Sequence, residues 1–450
     1  MLRAACLFVL LVGMVTAHMP TAFAGGPATL RYDSQLELSV FVVAGDEVRK
    51  LGTTPTDEGR GLWIPNGAVW FVEPSGSAGA LAWVETICEI EEQKIPGVRL
   101  CAAAPGTAGP AEDRKVLHGV LDAVRQLKAV RWLDLSACHL NDEELALLGV
   151  MTGIETLLLS GDGITDAGLQ TVAGFTGLKR LSLRFARVTD AGLARLVGLK
   201  KLESLDVSGC NLAGEGLASV ASLPALVRLD IGGNSRLSEE HLAHLAGMKK
   251  LADLGVGSLK LSAAGLEGIG RLKGLKRLDL SGVDLSDSGL GFLKPLAKLE
   301  RLDLADTRLT EEQLTVLGGV RGLLELRLDG TAAGDVFADS LRKLSRLEIL
   351  SVARTGITDL GLARLDVLTK IRRLDLSGLP VTDGAFVAVS KMKNLERIRL
   401  AGCSGLTDAI IPLLAKLPKL EYADLTGSGT TEDESDNLRY RFSHPVDVIR

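Results

Sequence analysis

Aromatic side chains are scarce, with ten Phe, four Trp and three Tyr in 450 residues. So few rings exclude a core of large, irregular pieces, and the interior has to be filled by aliphatic side chains in a regular arrangement. Histidine and cysteine are equally thin, six of each, which excludes a disulfide-dense framework and leaves few ligands for a metal centre. A CxxC pair, a G-x-S-x-G elbow and a phosphate-binding loop are all missing from the sequence, so no catalytic residue, metal or cofactor is expected. Charge of one sign is missing as well. The formal net charge is only −5, with Lys and Arg interleaved among Asp and Glu. That pattern offers no basic footprint for a phosphate backbone, and a nucleic-acid partner is not expected.

What is present begins with an apolar leader. Arg3 gives a positive start, Ala4–Val15 carry no charge, and small residues at Ala22 and Ala24 precede Gly25. This reads as a secretory signal peptide over residues 1–24, cleaved before Gly25. A membrane anchor is the weaker reading, because the run is short for a bilayer. Cys6 lies too early for lipid attachment. With no later run long enough to span a membrane, the mature chain is expected to be soluble and extracytoplasmic, either periplasmic or secreted.

From Val130 the chain repeats itself. "LESLDVSGCNLAGEGL" (Leu202–Leu217), "LKRLDLSGVDLSDSGL" (Leu275–Leu290) and "IRRLDLSGLPVTDGAF" (Ile371–Phe386) are copies of one unit. The step is 24 residues, with an extra residue in "GGNSRL" (Gly232–Leu237) and in "AGCSGL" (Ala401–Leu406), both in the same loop. Each unit opens as L-x-x-L-x-L, ending in the alternation of a short strand. Thr or Ser followed by Asp comes next, as at Thr165-Asp166, Thr189-Asp190, Thr358-Asp359 and Thr382-Asp383. These read as helix starts, the hydroxyl capping backbone N–H groups and the Asp suiting the positive helix end. Glycine recurs three places after the cap, at Gly168, Gly192, Gly265 and Gly361, where a missing side chain lets neighbouring coils approach. One strand and one short helix cannot bury their apolar faces alone, so each copy is the packing partner of the next.

The spelling L-x-x-L-x-L-x-x-(N/C)-x-L resembles the leucine-rich-repeat family over roughly residues 95–428. Cys138, Cys210, Cys403 and Asn234 stand at the inward position that the family fills with Asn or Cys, and Val283 and Thr307 depart from it. The cysteine-containing subclass of F-box adaptors and exported bacterial repeat proteins is the most similar. The resemblance implies an α/β solenoid, a horseshoe with a concave parallel sheet and short convex helices. The bending has a reason in dimensions, since strands stack about 4.8 Å apart and helices need about 8–10 Å. The expected divisions are a small β-containing or partly ordered segment (25–94), an N-terminal cap (95–129), twelve to thirteen repeats (130–428) and a C-terminal cap or tail (429–450). Ladder cysteines in separate repeats are too far apart to bridge. Cys88 and Cys101 are the one plausible disulfide.

Two rows of charge mark the strand face that the leucines leave open. The residue before the second repeat leucine is Arg180, Arg228, Arg277, Arg301, Arg373 or Arg397, and the next outward position carries Asp134, Asp206, Asp230, Asp279, Asp303, Asp375 or Asp424. One reading is a lattice in which the Arg row neutralises the Asp row. The other is that breaks in the Asp row (Leu158, Ser182, Gly255, Arg327, Ser351, Arg399) mark a ligand, with Trp132, Phe185 and Tyr422 as aromatic anchors. On that reading Arg327 and Arg399 have no internal counter-charge, and reversing either should change stability by no more than about 0.5 kcal/mol. The functional expectation is a scaffold that binds a protein or other macromolecule, with an F-box-like adaptor or an envelope spacer as alternatives. In "EEHLAHL", His241 and His244 flank core positions and read as surface residues.

Overall fold

The computed structural model describes residues 30–44, 47–56, 60–65, 68–74, 80–100, 110–161, 163–442 and 446–449. The leader at 1–24, its cleavage point at Gly25, and Cys101 with its pairing to Cys88 lie outside the described residues. The chain divides into two compact units, residues 1–211 with 222–226, and residues 212–221 with 227–450.

In the first unit, the strands Gly97–Arg99, Trp132–Asp134, Thr156–Leu158, Arg180–Ser182 and Ser204–Asp206 form a parallel, in-register sheet. Its central residues Val98, Leu133, Leu157, Leu181 and Leu205 are buried. The stretch before Gly97 continues this sheet. Leu38–Ala44 pairs antiparallel with both Glu47–Thr54 and Val69–Pro74, and Val69–Pro74 runs parallel to Gly97–Arg99 through Phe71 and Gly97. The helices Ala80–Gln93 and Pro110–Val124 make the connections.

The second unit stacks parallel strands in the same register, from Arg228–Asp230 and Asp253–Gly255 through Tyr422–Asp424. The tail adds one more coil, with a helix at Glu432–Tyr440 and a strand at Asp447–Ile449 parallel to Tyr422–Asp424. Val448 is buried there, so the last leucine edge is covered. From Trp132 on, the chain returns through short helices in both units, α or 3-10, such as Asp190–Leu193 and Asp359–Ala363.

Several neighbouring coils within each unit are tied together by a clasp that the helix-start reading only half anticipates. Thr358 Oγ1 accepts from Leu360 N, as a cap should. The Asp at a helix start does more than face the helix end. Asp335 accepts from Thr358 N (2.8 Å) and Thr358 Oγ1 (2.7 Å) in the following coil, and Asp383 does the same for Thr407. In the first unit Asp142 and Asp166 hold Thr165 and Thr189. The recurring glycine makes room for this carboxylate. A methyl group at Gly361 or Gly192 would fall far inside contact distance of Asp335 or Asp166 Oδ1.

The inward ladder satisfies carbonyls left over at the turn. Thr307, Thr331 and Thr355 donate to the carbonyl three residues back (2.7–2.8 Å), and Asn234 bonds Ile231 O while accepting from Leu212 N. Cys210 and Cys403 are free thiols that donate to Leu183 O and Leu376 O, each at 3.1 Å. Burial pushes the Cys210 thiol up to about 12 and raises Cys403 as well.

Candidate interaction surface

The apolar residue at the centre of each three-residue strand of the parallel sheets, mostly leucine, points inward, so the first and third residues share the outward face. Both charge rows therefore stand on one face, but the pairing between them differs from the expected lattice. The Asp row is engaged by backbone. Asp134, Asp206, Asp279, Asp303 and Asp375 each accept from the N–H two residues on, at 2.8–3.0 Å. This is an Asx-type turn that closes the strand, and it explains the recurring Leu-Asp-Leu spelling.

Ion pairs in the second unit run along the rows instead of across them. Asp253, an acid in the Arg row, meets Arg228 at 2.8 Å and Arg277 at 3.9 Å, and Glu325 meets Arg301 at 3.7 Å. Arg327 lies 3.5 Å from both Asp303 and Asp329, and Arg399 lies 3.5 Å from Asp375. The expectation that Arg327 and Arg399 lack a counter-charge is thus incorrect. Their position in the Asp row places a carboxylate one strand away. Desolvation raises the Asp303 carboxyl, with Asp279 adding to the rise and Arg327 opposing it. The same two acids, Asp303 and Asp329, hold the Arg327 guanidinium above its usual range against its own desolvation.

Breaks in the Asp row are filled internally as well. At Ser351 the turn N–H of Ala353 is accepted by Asp329 of the preceding coil (2.9 Å), which Ser351 Oγ also reaches. At Gly255 the space of a side chain is taken by the Asp230 carboxylate, which a methyl group there would meet at 2.6–2.8 Å. In the first unit Ser182 Oγ faces Ser160 Oγ at 3.0 Å and Asp206 at 3.4 Å. At these three positions a neighbouring coil supplies the compensating group.

The aromatic anchors separate. Trp132 is only 4% exposed and is not available to a partner. Phe71 stacks on it at 4.8 Å and Phe41 stacks on Phe71 at 5.0 Å. Gly97 lies between the two strands in register and has no side chain to keep the rings apart. Arg99 covers Phe41 and Phe71 (4.9 and 4.7 Å) and is paired with Glu73. The sequence reading missed this cluster because it assigned no pairing to residues 38–74.

Phe185 is 60% exposed and stands on the turn after its strand, not on the strand face. Its φ is +59°, one of a row of left-handed turn residues spaced by the repeat, from Ala137 to Gly427. Eight of these are Gly, while Ala137, Phe185, Ser258, Asp306 and Arg354 are not. For a bulky residue this region costs roughly 1 kcal/mol. The ring of Phe185 lies over Gly209, with the Arg184 guanidinium 4.9 Å from its centroid. Tyr422 is half-buried, with Arg397 5.8 Å from its centroid. Arg180 is half-buried on the first unit's strand face, and Arg373 is exposed on the second.

His241 is half-buried, His244 is exposed, and the two rings stack at 6.1 Å. Among the described residues no group of three or more His, Cys, Asp or Glu is arranged to hold a metal ion, and no helix is long and apolar enough to cross a membrane.

Residues 198–221 match the family model for the Leucine Rich repeat. No curated protein matches the sequence. Among solved structures, yeast Rad7 in complex with Elc1 is similar at 19% identity and a TM-score of 0.53, covering 75% of this chain and 93% of that one. An internalin (inlF) of Listeria monocytogenes aligns at 19% identity and TM-score 0.46 over 67% and 82% of the two chains. A leucine-rich-repeat protein of Leptospira interrogans aligns at 17% and 0.42, over 73% and 86%.

Proposed function

Because the chain is built of leucine-rich repeats, we propose that it is a protein-binding scaffold that works through the outward strand face, by binding and not by catalysis. One observation carries this reading. The strand face of the second unit holds exposed Arg side chains at fixed spacing on a sheet held by hydrogen bonds at turns such as Asp375–Ser377, at the ladder residue Cys403 and at clasps such as Asp383–Thr407. A surface ordered in advance loses little side-chain and backbone freedom when a partner docks, which is what makes such a face useful for recognition. The leader-like residues 1–24 support export, so the partner is sought outside the cytoplasm.

The test is affinity capture from an envelope or extracellular fraction. Wild-type protein is compared with a variant carrying Arg301→Glu, Arg373→Glu and Arg397→Glu, whose fold is checked by circular dichroism. A defined protein retained by the wild type and lost from the folded variant supports the scaffold. Equal retention by both, or none above bare resin, refutes it.

A further inference from the structure

We infer that the strand Arg397–Arg399, with Arg373 and Tyr422 on the strands to either side, docks an acidic peptide segment of the protein partner. This inference rests on the scaffold reading and names the chemistry that the face accepts.

Arg397–Arg399 differs from its neighbours in charge. It is the one repeat strand among the described residues with Arg at both outward positions, and both are exposed. Residues two apart on one strand face project the same way about 7 Å apart, so the two guanidiniums form a fork. Arg373 lies beside Arg397 in register, adding a third.

Arg397 has fewer acids around it than the other adjacent Arg pair. Arg277 and Arg301 are also in register, but Asp253 and Glu325 close the row on either side, each within ion-pair distance. Over those four strands three Arg face four acids, Asp253, Asp279, Asp303 and Glu325. The strands from Ile349 to Asp424 carry three Arg against two acids, Asp375 and Asp424. The ends of that Arg row are Ile349 and Tyr422, not carboxylates. Among the described residues no carboxylate lies within ion-pair distance of Arg397, whose recorded contact is the face of Tyr422. Arg399 reaches Asp375 only at 3.5 Å, too long for a good hydrogen bond. Asp375 Oδ1 is meanwhile engaged by Ser377 N and Oγ. Like charges side by side on a sheet are unfavourable, and a partner carboxylate at Arg397 relieves that repulsion while forming charge-assisted hydrogen bonds.

Partner class follows from the flanks. Arg372, in the row before, is taken by Glu396 (2.8 and 3.0 Å) and lies 3.8 Å from Glu348. Toward the turns stand Asp375 and Asp424. Acids on both sides would repel a continuous phosphate chain, whereas a short peptide can set two or three carboxylates on the fork and an apolar side chain against Ile349 or Tyr422. Four strands span about 14 Å, the reach of four or five extended residues.

The experiment is fluorescence polarisation with the full chain in low-salt buffer. The probe is a fluorescein-labelled Glu-Glu-Leu-Glu-Glu peptide, and its Gln-Gln-Leu-Gln-Gln counterpart and a short oligothymidylate serve as comparisons. Saturable binding of the acidic peptide is expected, weakened about tenfold or more by Arg397→Glu or Arg399→Glu and changed less than about twofold by Arg195→Glu, exposed on the helix Ala194–Gly198 of the first unit. If a reversal fails to fold, Arg397→Gln replaces it, with a smaller loss in the same direction. Three results would each overturn the inference. They are equal affinity for the wild type and the folded Arg397 and Arg399 variants, equal affinity for the glutamine peptide, or tighter binding of the oligothymidylate through the same arginines. A captured partner retained equally by wild type and by Arg397→Glu with Arg399→Glu would leave the scaffold standing and overturn this site.

Discussion

The clasp between coils offers the sharpest test of how the repeats cohere, because it predicts non-additivity at two residues far apart in sequence. Asp335 receives two hydrogen bonds from Thr358 at 2.7–2.8 Å. Asp335→Ala removes both and also takes a negative charge from the first turn of the helix Asp335–Leu341. Hydrogen bonds to a charged acceptor contribute about 1.5–3 kcal/mol each. The site is half-exposed, which lowers that figure, so the expected loss is about 2 kcal/mol, with about 0.5 kcal/mol from the helix end included. Gly361→Ala puts a methyl group against the same carboxylate and against Ile357 Cγ2 at 2.9 Å. Displacing the clasp then outweighs the roughly 1 kcal/mol gained in helix propensity, for a net loss of about 1 kcal/mol. In the double variant there is no carboxylate to displace and the remaining Ile357 contact offsets the gain in propensity, so adding Gly361→Ala to Asp335→Ala should be close to neutral. The coupling is about 1–2 kcal/mol, readable from urea unfolding of the four proteins followed by far-ultraviolet circular dichroism and by Trp fluorescence. Additivity within about 0.5 kcal/mol would mean that the glycine is not there for the carboxylate, and the reasoning would fail.

Arg327→Glu should destabilise the second unit by roughly 2 kcal/mol, since it sets a third carboxylate beside Asp303 and the buried Asp329, and Arg327→Gln should lose less. A urea midpoint for Arg327→Glu unchanged from wild type would restore the view that this side chain is uncompensated. Burial raises the Glu89 carboxyl, whose Oε1 accepts from Tyr32 at 3.2 Å. A raised carboxyl favours the folded state below the ordinary glutamate range and loses that contribution as pH rises through the folded-state value. Glu89→Gln should therefore be the more stable protein at neutral pH, with the gap closing below about pH 4. A pH-independent difference in melting temperature would contradict this assignment. Cys210 and Cys403 should resist iodoacetamide at pH 8 in the folded protein and react after denaturation, because burial keeps both thiols protonated. Rapid labelling of the native chain, quantified by mass spectrometry, would refute it.

The repeat architecture is legible in the sequence because its cause is local and periodic. A leucine at nearly every strand centre and a return helix every 24 or 25 residues can bury themselves in one way only, against the adjacent copy. Leu278, Leu302 and Leu374 sit where that pattern puts them, and so do the inward Cys210, Asn234 and Cys403. Residues 38–74 were not legible in the same way, because their partners are set by antiparallel pairing with no repeat to announce it, and Trp132 looks available in the sequence for that reason.

The charge rows show the same division in finer detail. That Arg and Asp share one face follows from the two-residue period of a strand, and the sequence by itself determined it. Which charge meets which was decided only by the fold. The Asp carboxylates had a nearer claimant in their own turn N–H groups, and the Arg side chains then found acids one strand away along their own rows. A hydrogen bond depends on distances of a few tenths of an ångström. Sequence spacing specifies a side and a coil, and only the stacking of coils sets separations that small. For that reason the sequence could place Asp359 at a helix start, while the tertiary structure made it the clasp that holds Thr382 in the next repeat.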